Sequence, residues 1–299
     1  MKSTTTDGFT YTVTDGTDTT ASSNFEIGIF GSSASPQASF DAGTISFTAS
    51  SQDMDYGYYS YDVELADFDK DGDLDIFFAN YHNQANRVWL NDGDGTFTVN
   101  QSLGGRYSWE VALADVDSDG DLDILMGTWR DELMLVINDG QVTEPNWTIA
   151  DSAIVKLTRG RNATPTLGDI DDDGDLDLFI GESSGDINFY RNDGGTDGPE
   201  FILVDDKYGG IDAGRRSVPT LVDIDTDGDF DLVVGSEAEG LKLYRNNGTP
   251  REAVFVLDET FDVAVHPFSA PIFTDVDGDG DADLFVGGIG GGLLYFENR

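Results

Sequence analysis

Five nine-residue runs of alternating aspartate hold the densest chemistry in this chain. They read DFDKDGDLD, DVDSDGDLD, DIDDDGDLD, DIDTDGDFD and DVDGDGDAD, beginning at Asp67, Asp115, Asp169, Asp223 and Asp275, at intervals of 48, 54, 54 and 52 residues. Carboxylates at every second position around a glycine turn supply hard oxygen donors, which suits calcium, a cation that takes six to eight oxygens in flexible geometry. In the first run Asp67, Asp69 and Asp71 are expected to turn side chains inward, Asp73 to offer its carbonyl, and Asp75 to close the site with both carboxylate oxygens. The same roles fall to Asp115, Asp117, Asp119, Asp121 and Asp123, and to Asp169, Asp171, Asp173, Asp175 and Asp177. They fall likewise to Asp223, Asp225, Asp227, Asp229 and Asp231, and to Asp275, Asp277, Asp279, Asp281 and Asp283. About five ions per chain are implied. An EF-hand is excluded, because its twelfth position requires a bidentate Glu, and Phe78, Met126, Ile180, Val234 and Val286 stand there.

The elements that must position these loops repeat with them. A short apolar segment precedes each run (VELA, VALA, PTLG, PTLV, PIFT) and a β-rich one follows (LDIFFA, LDILMG, LDLFIG, FDLVVG, ADLFVG). A third strand then ends at Asn91, Asn138, Asn192, Asn246 or Asn298, 23 or 24 residues past the first loop aspartate. Four of these continue as Asn-Asp-Gly or Asn-Asn-Gly, a hairpin signal because such residues tolerate positive φ. A fourth strand follows in GTFTVN, NWTIA, EFILV and AVFVL. Four short antiparallel strands per repeat, without helical periodicity, specify a propeller blade. The fifth repeat stops after its third strand, and GTISFTAS (43–50) is expected to supply the missing outer strand and close the ring. The expected fold is all-β: a five-bladed β-propeller of four-stranded antiparallel blades over residues 39–299, closed by an N-terminal strand, with an N-terminal β-hairpin extension over 1–38.

These loops and strands resemble the FG-GAP/VCBS repeat family, whose members include the integrin alpha-chain propellers and many secreted bacterial proteins. The resemblance covers about residues 40–299. It implies that each loop joins the first two strands of a blade and binds calcium through its carboxylates. Integrin propellers have seven blades and only some carry calcium, whereas all five repeats here keep the motif.

Composition narrows the function. With 58 acidic residues against 16 basic ones the formal charge is −42. Such a surface repels nucleic acid, whose phosphates demand Lys and Arg. There is no cysteine, so neither disulfides nor thiolate chemistry is available. No apolar run has the length of a membrane span, and no signal peptide is visible. Loops of this kind need abundant calcium, which points to an extracellular or cell-surface setting. Sequons at Asn100, Asn146, Asn162 and Asn247 are candidate glycosylation sites.

Residues 1–38 contain two alternating segments, GFTYTVT and FEIGIFG. This hairpin resembles the final strands of cadherin-like modules in bacterial adhesins. Two strands alone are barely stable in water, so the hairpin is expected to dock on a neighbouring subunit, giving a homo-oligomer or filament through residues 1–38, with the side of its own propeller or an upstream domain as the alternatives.

The face opposite the calcium loops gathers nine of the sixteen basic residues, among them Arg106, Arg161, Arg215 and Arg216, together with aromatic side chains. The Gly-Arg pairs at 105–106, 160–161 and 214–215 recur blade by blade, and Glu182 and Glu237 are their expected ion-pair partners. Features confined to single blades are better recognition candidates: Tyr56, Tyr58, Tyr59, His82, Trp129 and Arg130. The first expectation is a non-enzymatic adhesion or assembly protein. A glycan-binding module using this aromatic and Arg face is the alternative, and a polysaccharide lyase a third.

Overall fold

The computed structural model describes Gln52, Met54 and residues 58–298, apart from 141–142, 195–197, 250, 277 and 290–291. These residues fall almost wholly in one compact unit, residues 57–276 with 280–299. The predicted hairpin of residues 1–38, the closing strand at 43–50, Tyr56 and Asp277 lie outside the described residues.

The described chain is a five-bladed β-propeller with one short 3-10 turn, Tyr208–Gly210. The first blade holds β1 (Ser60–Ala66), β2 (Asp75–Asn80), β3 (Gln84–Asn91) and β4 (Phe97–Arg106). The second holds β5 (Ser108–Ala114), β6 (Asp123–Thr128), β7 (Glu132–Asn138) and β8 (Trp147–Lys156). In the third are β9 (Thr164–Gly168), β10 (Asp177–Gly181), β11 (Ile187–Asn192) and β12 (Phe201–Asp205). The fourth comprises β13 (Val218–Val222), β14 (Asp231–Gly235), β15 (Leu241–Asn246) and β16 (Phe255–Leu257). Among the described residues the fifth shows three strands, β17 (Ala270–Thr274), β18 (Asp283–Gly287) and β19 (Leu293–Phe296). Every blade is an antiparallel meander in chain order.

The second strand of each blade is packed on both faces, which is why its sequence is a continuous apolar run rather than an alternating one. Every residue of β2, β6, β10 and β14 is buried. The outer strands β8, β12 and β16 are largely exposed. The cores lie between blades. Phe77, Val88, Ile124 and Met126 join the first to the second, and Leu125, Leu133, Leu178 and Ile180 the second to the third. Phe179, Ile187, Leu232 and Val234 join the third to the fourth, and Val233, Leu243, Leu284 and Val286 the fourth to the fifth. Among the described residues no core joins the fifth blade to the first.

Glycine permits the close approach. A Cβ on Gly127, Gly181 or Gly235 would lie 1.9, 2.2 and 2.2 Å from the carbonyl oxygens of Ala163, Ser217 and Ser269 on the next blade. The equivalent Gly287 has nothing within 4 Å among the described residues.

Candidate metal centres and the opposite face

Each aspartate loop joins the first two strands of its blade, as the repeat pattern requires. The first aspartate organises the turn. Asp67 Oδ1 accepts the N–H of Asp71 at 3.0 Å, and its Oδ2 accepts that of Gly72 at 3.0 Å. The same grip on the sixth-position glycine recurs from Asp115, Asp169, Asp223 and Asp275 at 2.9 to 3.1 Å. Those glycines have φ between 92° and 100°, a conformation that a residue with a Cβ adopts only at a cost.

The fourth position is left-handed as well, at Lys70, Ser118, Asp172 and Thr226 (φ 54–61°) and Gly278 (φ 77°). Sequence reasoning misses this, because only the fifth loop places glycine there. The signal available is the choice of Lys, Ser, Asp, Thr and Gly, with no β-branched apolar residue among them.

In four loops the carboxylates converge. One oxygen from each of Asp67, Asp69 and Asp71 lies within 4.8 Å of the others, and so for Asp169, Asp171 and Asp173, and for Asp223, Asp225 and Asp227. In the second loop the converging set is Asp115, Asp117 and Asp123. Buried oxygens without a hydrogen-bond donor, Asp171 Oδ1 and Asp229 Oδ1, lie in the third and fourth loops. All-oxygen donors, crowded and partly unpaired, fit a hard divalent cation. Burial and the neighbouring carboxylates raise the pKa of Asp69, Asp117 and Asp171, so the crowded charged form is disfavoured in the metal-free protein.

The ninth aspartate does more than close the site. Asp75 Oδ2 accepts the Phe68 N–H and its Oδ1 the Asn91 N–H, both at 2.8 Å. Asp123 takes Val116 and Asn138 at 3.0 and 2.8 Å, Asp177 takes Ile170 and Asn192 at 3.4 and 2.8 Å, and Asp283 takes Val276 and Asn298 at 3.1 and 2.9 Å. Asp231 accepts Asn246 at 2.7 Å. These carboxylates are 0–3% exposed. Burial pushes Asp75 up to about 6 and Asp123 and Asp177 up to about 7, against the lowering effect of the two amides.

The third-strand asparagines complete the latch. The side-chain oxygens of Asn91, Asn138, Asn192 and Asn246 accept backbone N–H groups of the following turn, and the amides of Asn91 and Asn192 each donate to the loop carbonyls of Leu74 and Leu176 at 3.2 Å.

Basic side chains reach some loops. Lys70 Nζ lies 2.6 Å from Asp121 Oδ1 of the second loop, and Arg245 Nη1 lies 2.7 Å from Asp225 Oδ2. Arg251 approaches Asp172 at 3.2 Å.

The opposite face is held by a second recurrent bond. The N–H groups of Tyr81, Trp129, Ser183, Glu237 and Ile289 donate to the carbonyls of Tyr59, Tyr107, Arg161, Arg215 and Pro267 at 2.7 to 3.0 Å. Arg215 reaches Glu237 at 3.4 Å, as expected, and Arg216 joins it at 3.5 Å. Glu182 behaves differently: it accepts the Ser184 N–H at 2.6 Å, and its side chain fills the space where a Cβ on Gly160 would stand. Thus Gly160, at φ 66°, leaves room for the Glu182 carboxyl.

Of the recognition candidates, Tyr59, His82 and Trp129 belong to one aromatic cluster. Tyr58 lies apart, under the Arg87 guanidinium at 4.2 Å, and Arg130 is exposed. Among the sequons, Asn100, Asn146 and Asn247 are exposed. Asn162 is not: it is 4% exposed at the base of a cavity, so the expectation of a glycan there is corrected.

The FG-GAP-like repeat model matches residues 67–126, 169–234 and 223–286. No curated protein matches the chain. A solved structure of BBS1N in complex with ARL6DN is similar over 80% of this chain and 79% of that one, with 12% identity and a TM-score of 0.41. The repeat match spans more than half of the sequence and centres on the aspartate loops, and the chain belongs to the FG-GAP-like repeat family.

Proposed function

We propose that this protein is a calcium-stabilised adhesion or assembly module of the cell exterior, acting by binding rather than by catalysis. The observation that carries the reading is the set of four loops whose carboxylate oxygens already converge, three to a loop. Calcium supplies positive charge to such a set, and oxygen sites built on exposed loops fill where the ion is abundant. FG-GAP propellers are often found in adhesion proteins, and among the described residues no helix is long and apolar enough to cross a membrane. Residues 1–38 are the proposed route of self-association, through strand pairing with a neighbouring copy. Light scattering and electron microscopy in calcium buffer should show oligomers or filaments that vanish on chelation and on deletion of residues 1–38. A full-length protein that binds calcium yet stays monomeric at high concentration would remove the assembly half of the proposal.

A second reading, recognition of a glycan on the opposite face, is favoured by the aromatic cluster around Tyr81. Uronate polymers incubated with the protein provide the check on the lyase alternative, since cleavage by elimination raises ultraviolet absorbance.

A further inference from the structure

The propeller axis opens, on the face opposite the aspartate loops, into a cavity of about 170 Å³ lined from all five blades. Its walls include Tyr61, Trp109 and Glu110, Asn162, Arg216 and Phe268. The volume falls below the ~300–1,000 Å³ of drug-sized pockets, so it accommodates a group the size of one ring.

The aromatic walls are not part of the repeat. Counted from the first loop aspartate, the residues eight and six before it and fourteen after it are Tyr59, Tyr61 and Tyr81 in the first blade. In the second they are Tyr107, Trp109 and Trp129. The third, fourth and fifth blades carry Arg161, Ala163 and Ser183, then Arg215, Ser217 and Glu237, then Pro267, Ser269 and Ile289. Three blades fold without any aromatic at these positions, so the blade architecture does not require them. Five of the six rings form a continuous lattice across two blades, with centroids 4.6 Å apart for Tyr61–Tyr81, 5.1 Å for Tyr61–Trp109 and 5.3 Å for Trp109–Trp129, and Tyr59 joins it through His82. Tyr59 and Tyr61 are 61% and 51% exposed, large aromatic surface left in water.

Backbone irregularity aims these rings. The ladder between β1 and β2 shifts between Ser60 and Asp62, and that between β5 and β6 shifts between Ser108 and Glu110. Tyr61 and Trp109 are therefore the extra residues of two β-bulges, a device that redirects a side chain. In the other three blades the corresponding ladder begins at Thr164, Val218 and Ala270, the equivalents of Asp62, and stops short of this position.

An independent observation points to a ligand. Asn162 is only 4% exposed, lines this cavity, and its Nδ2 has no hydrogen-bond partner. A buried amide left unpaired favours binding of whatever group satisfies it.

The charges select the ligand class. The Arg216 guanidinium already lies over the rings of Trp109 and Phe268, 5.7 and 5.2 Å from their centroids, so the aromatic surface is not open as a cage for a foreign cation. An anion would meet Glu110, which lines the cavity and whose pKa is raised by burial and then by the nearby carboxyls of Asp62 and Glu64. What remains is a neutral ring with an apolar face and a rim of hydroxyls, able to stack on aromatics and bond to amide, guanidinium and carboxyl groups together. Resting on the reading of this face as a recognition surface, we infer that the axial cavity binds a single neutral pyranose, a terminal or branch sugar of an uncharged glycan, packed against the touching rings of Tyr61 and Trp109, with Asn162 donating to a ring hydroxyl.

The test uses full-length protein in calcium buffer, with thermal melts confirming the metal-stabilised fold, so that silence counts against the cavity and not against calcium binding. The probes are an array of neutral oligosaccharides, polygalacturonate and a trimethyllysine peptide. Affinities are then read from tryptophan fluorescence, since Trp109 and Trp129 are two of four tryptophans. The expected result is binding to a neutral glycan, weakened at least about tenfold by Tyr61→Ala and by Asn162→Asp, while Tyr58→Phe binds normally. Tyr61 is half exposed and Asp keeps the size and left-handed tolerance of Asn, so both variants fold. No neutral glycan bound, binding confined to polygalacturonate or the peptide, or affinity unchanged in both variants would each overturn the inference.

Discussion

The backbone N–H of Asn91 donates to Asp75 Oδ1 at 2.8 Å, tying the end of a blade's third strand to the last aspartate of its metal loop. The same bond joins Asn138 to Asp123, Asn192 to Asp177, Asn246 to Asp231 and Asn298 to Asp283. Loop and strand are thus one hydrogen-bonded unit in every blade. Removing the carboxylate leaves buried N–H groups without acceptors, at about 1–3 kcal/mol each. Asp177→Ala should therefore lower stability by about 2–6 kcal/mol in saturating calcium. Asp172→Asn, on the exposed tip of the same loop, should change it by less than about 0.5 kcal/mol. Urea denaturation of the two variants gives the comparison, and equal midpoints would refute the latch.

Metal content should respond to the first aspartate. Purified protein is expected to hold about five calcium ions, one per loop, and a chelator should lower its melting temperature through loss of a ligand bound only by the folded state. Asp169→Ala removes a candidate donor oxygen and the acceptor of the Asp173 and Gly174 N–H groups. One ion fewer per chain is the expected result by elemental analysis. An unchanged metal count would exclude the third loop as a site.

Stability without calcium should fall as pH rises. Asp75, raised to about 6, and Asp123 and Asp177, raised to about 7, bind protons in the folded state that the unfolded chain releases nearer its ordinary value of about 4. Between about pH 4 and 7 the folded state holds more protons, so the stability present at the acid end is lost through that window and then levels off. Repulsion within a chain of charge −42 acts in the same direction. Urea midpoints in chelator should decline from pH 5 to pH 8, and calcium should reduce the decline. A midpoint that rises with pH would show that these carboxyls are stabilised as anions.

The inter-blade glycines make a paired test. In Gly181→Ala the new methyl would stand 2.2 Å from Ser217 O and 2.5 Å from Thr164 Oγ1, an overpacking expected to cost about 1–3 kcal/mol. Gly287→Ala meets nothing within 4 Å among the described residues and should be neutral or stabilising by about 0.4–1 kcal/mol through the unfolded chain. Thermal melts that rank the two variants the other way would contradict the packing.

How much of this could be read from residues alone follows the range of the interactions. The loops, their glycines, the blade count and the strand-ending asparagines are local patterns repeated at fixed intervals, so spacing exposes them. Asn91 is recognisable as a hairpin residue, but its bond to Asp75 crosses two strands and needs the register of the sheet. The Tyr61–Trp109 contact joins residues 48 apart on bulges that break the expected pairing, and no periodicity marks a bulge. Asn162 carries a sequon in an Arg-rich loop and reads as surface; its burial arises because the residue turns inward at φ 60° beneath the neighbouring blades. Glu182 has the spacing of an arginine partner, but the lack of a side chain on Gly160 gives it somewhere closer to lie.

Each of the four cores is shared by two successive blades, and none belongs to a blade alone. The unit that duplicates cleanly is therefore the blade with its trailing junction. An extra repeat of about fifty residues inserted between two existing ones meets the same kind of neighbour on either side. Losing one leaves two half-cores that were already shaped for blades of the same kind. Such a ring can change its number of repeats without inventing a new contact, and the sector formed by the first two blades, the one departure from the shared pattern, keeps its place while the rest of the circle varies in size.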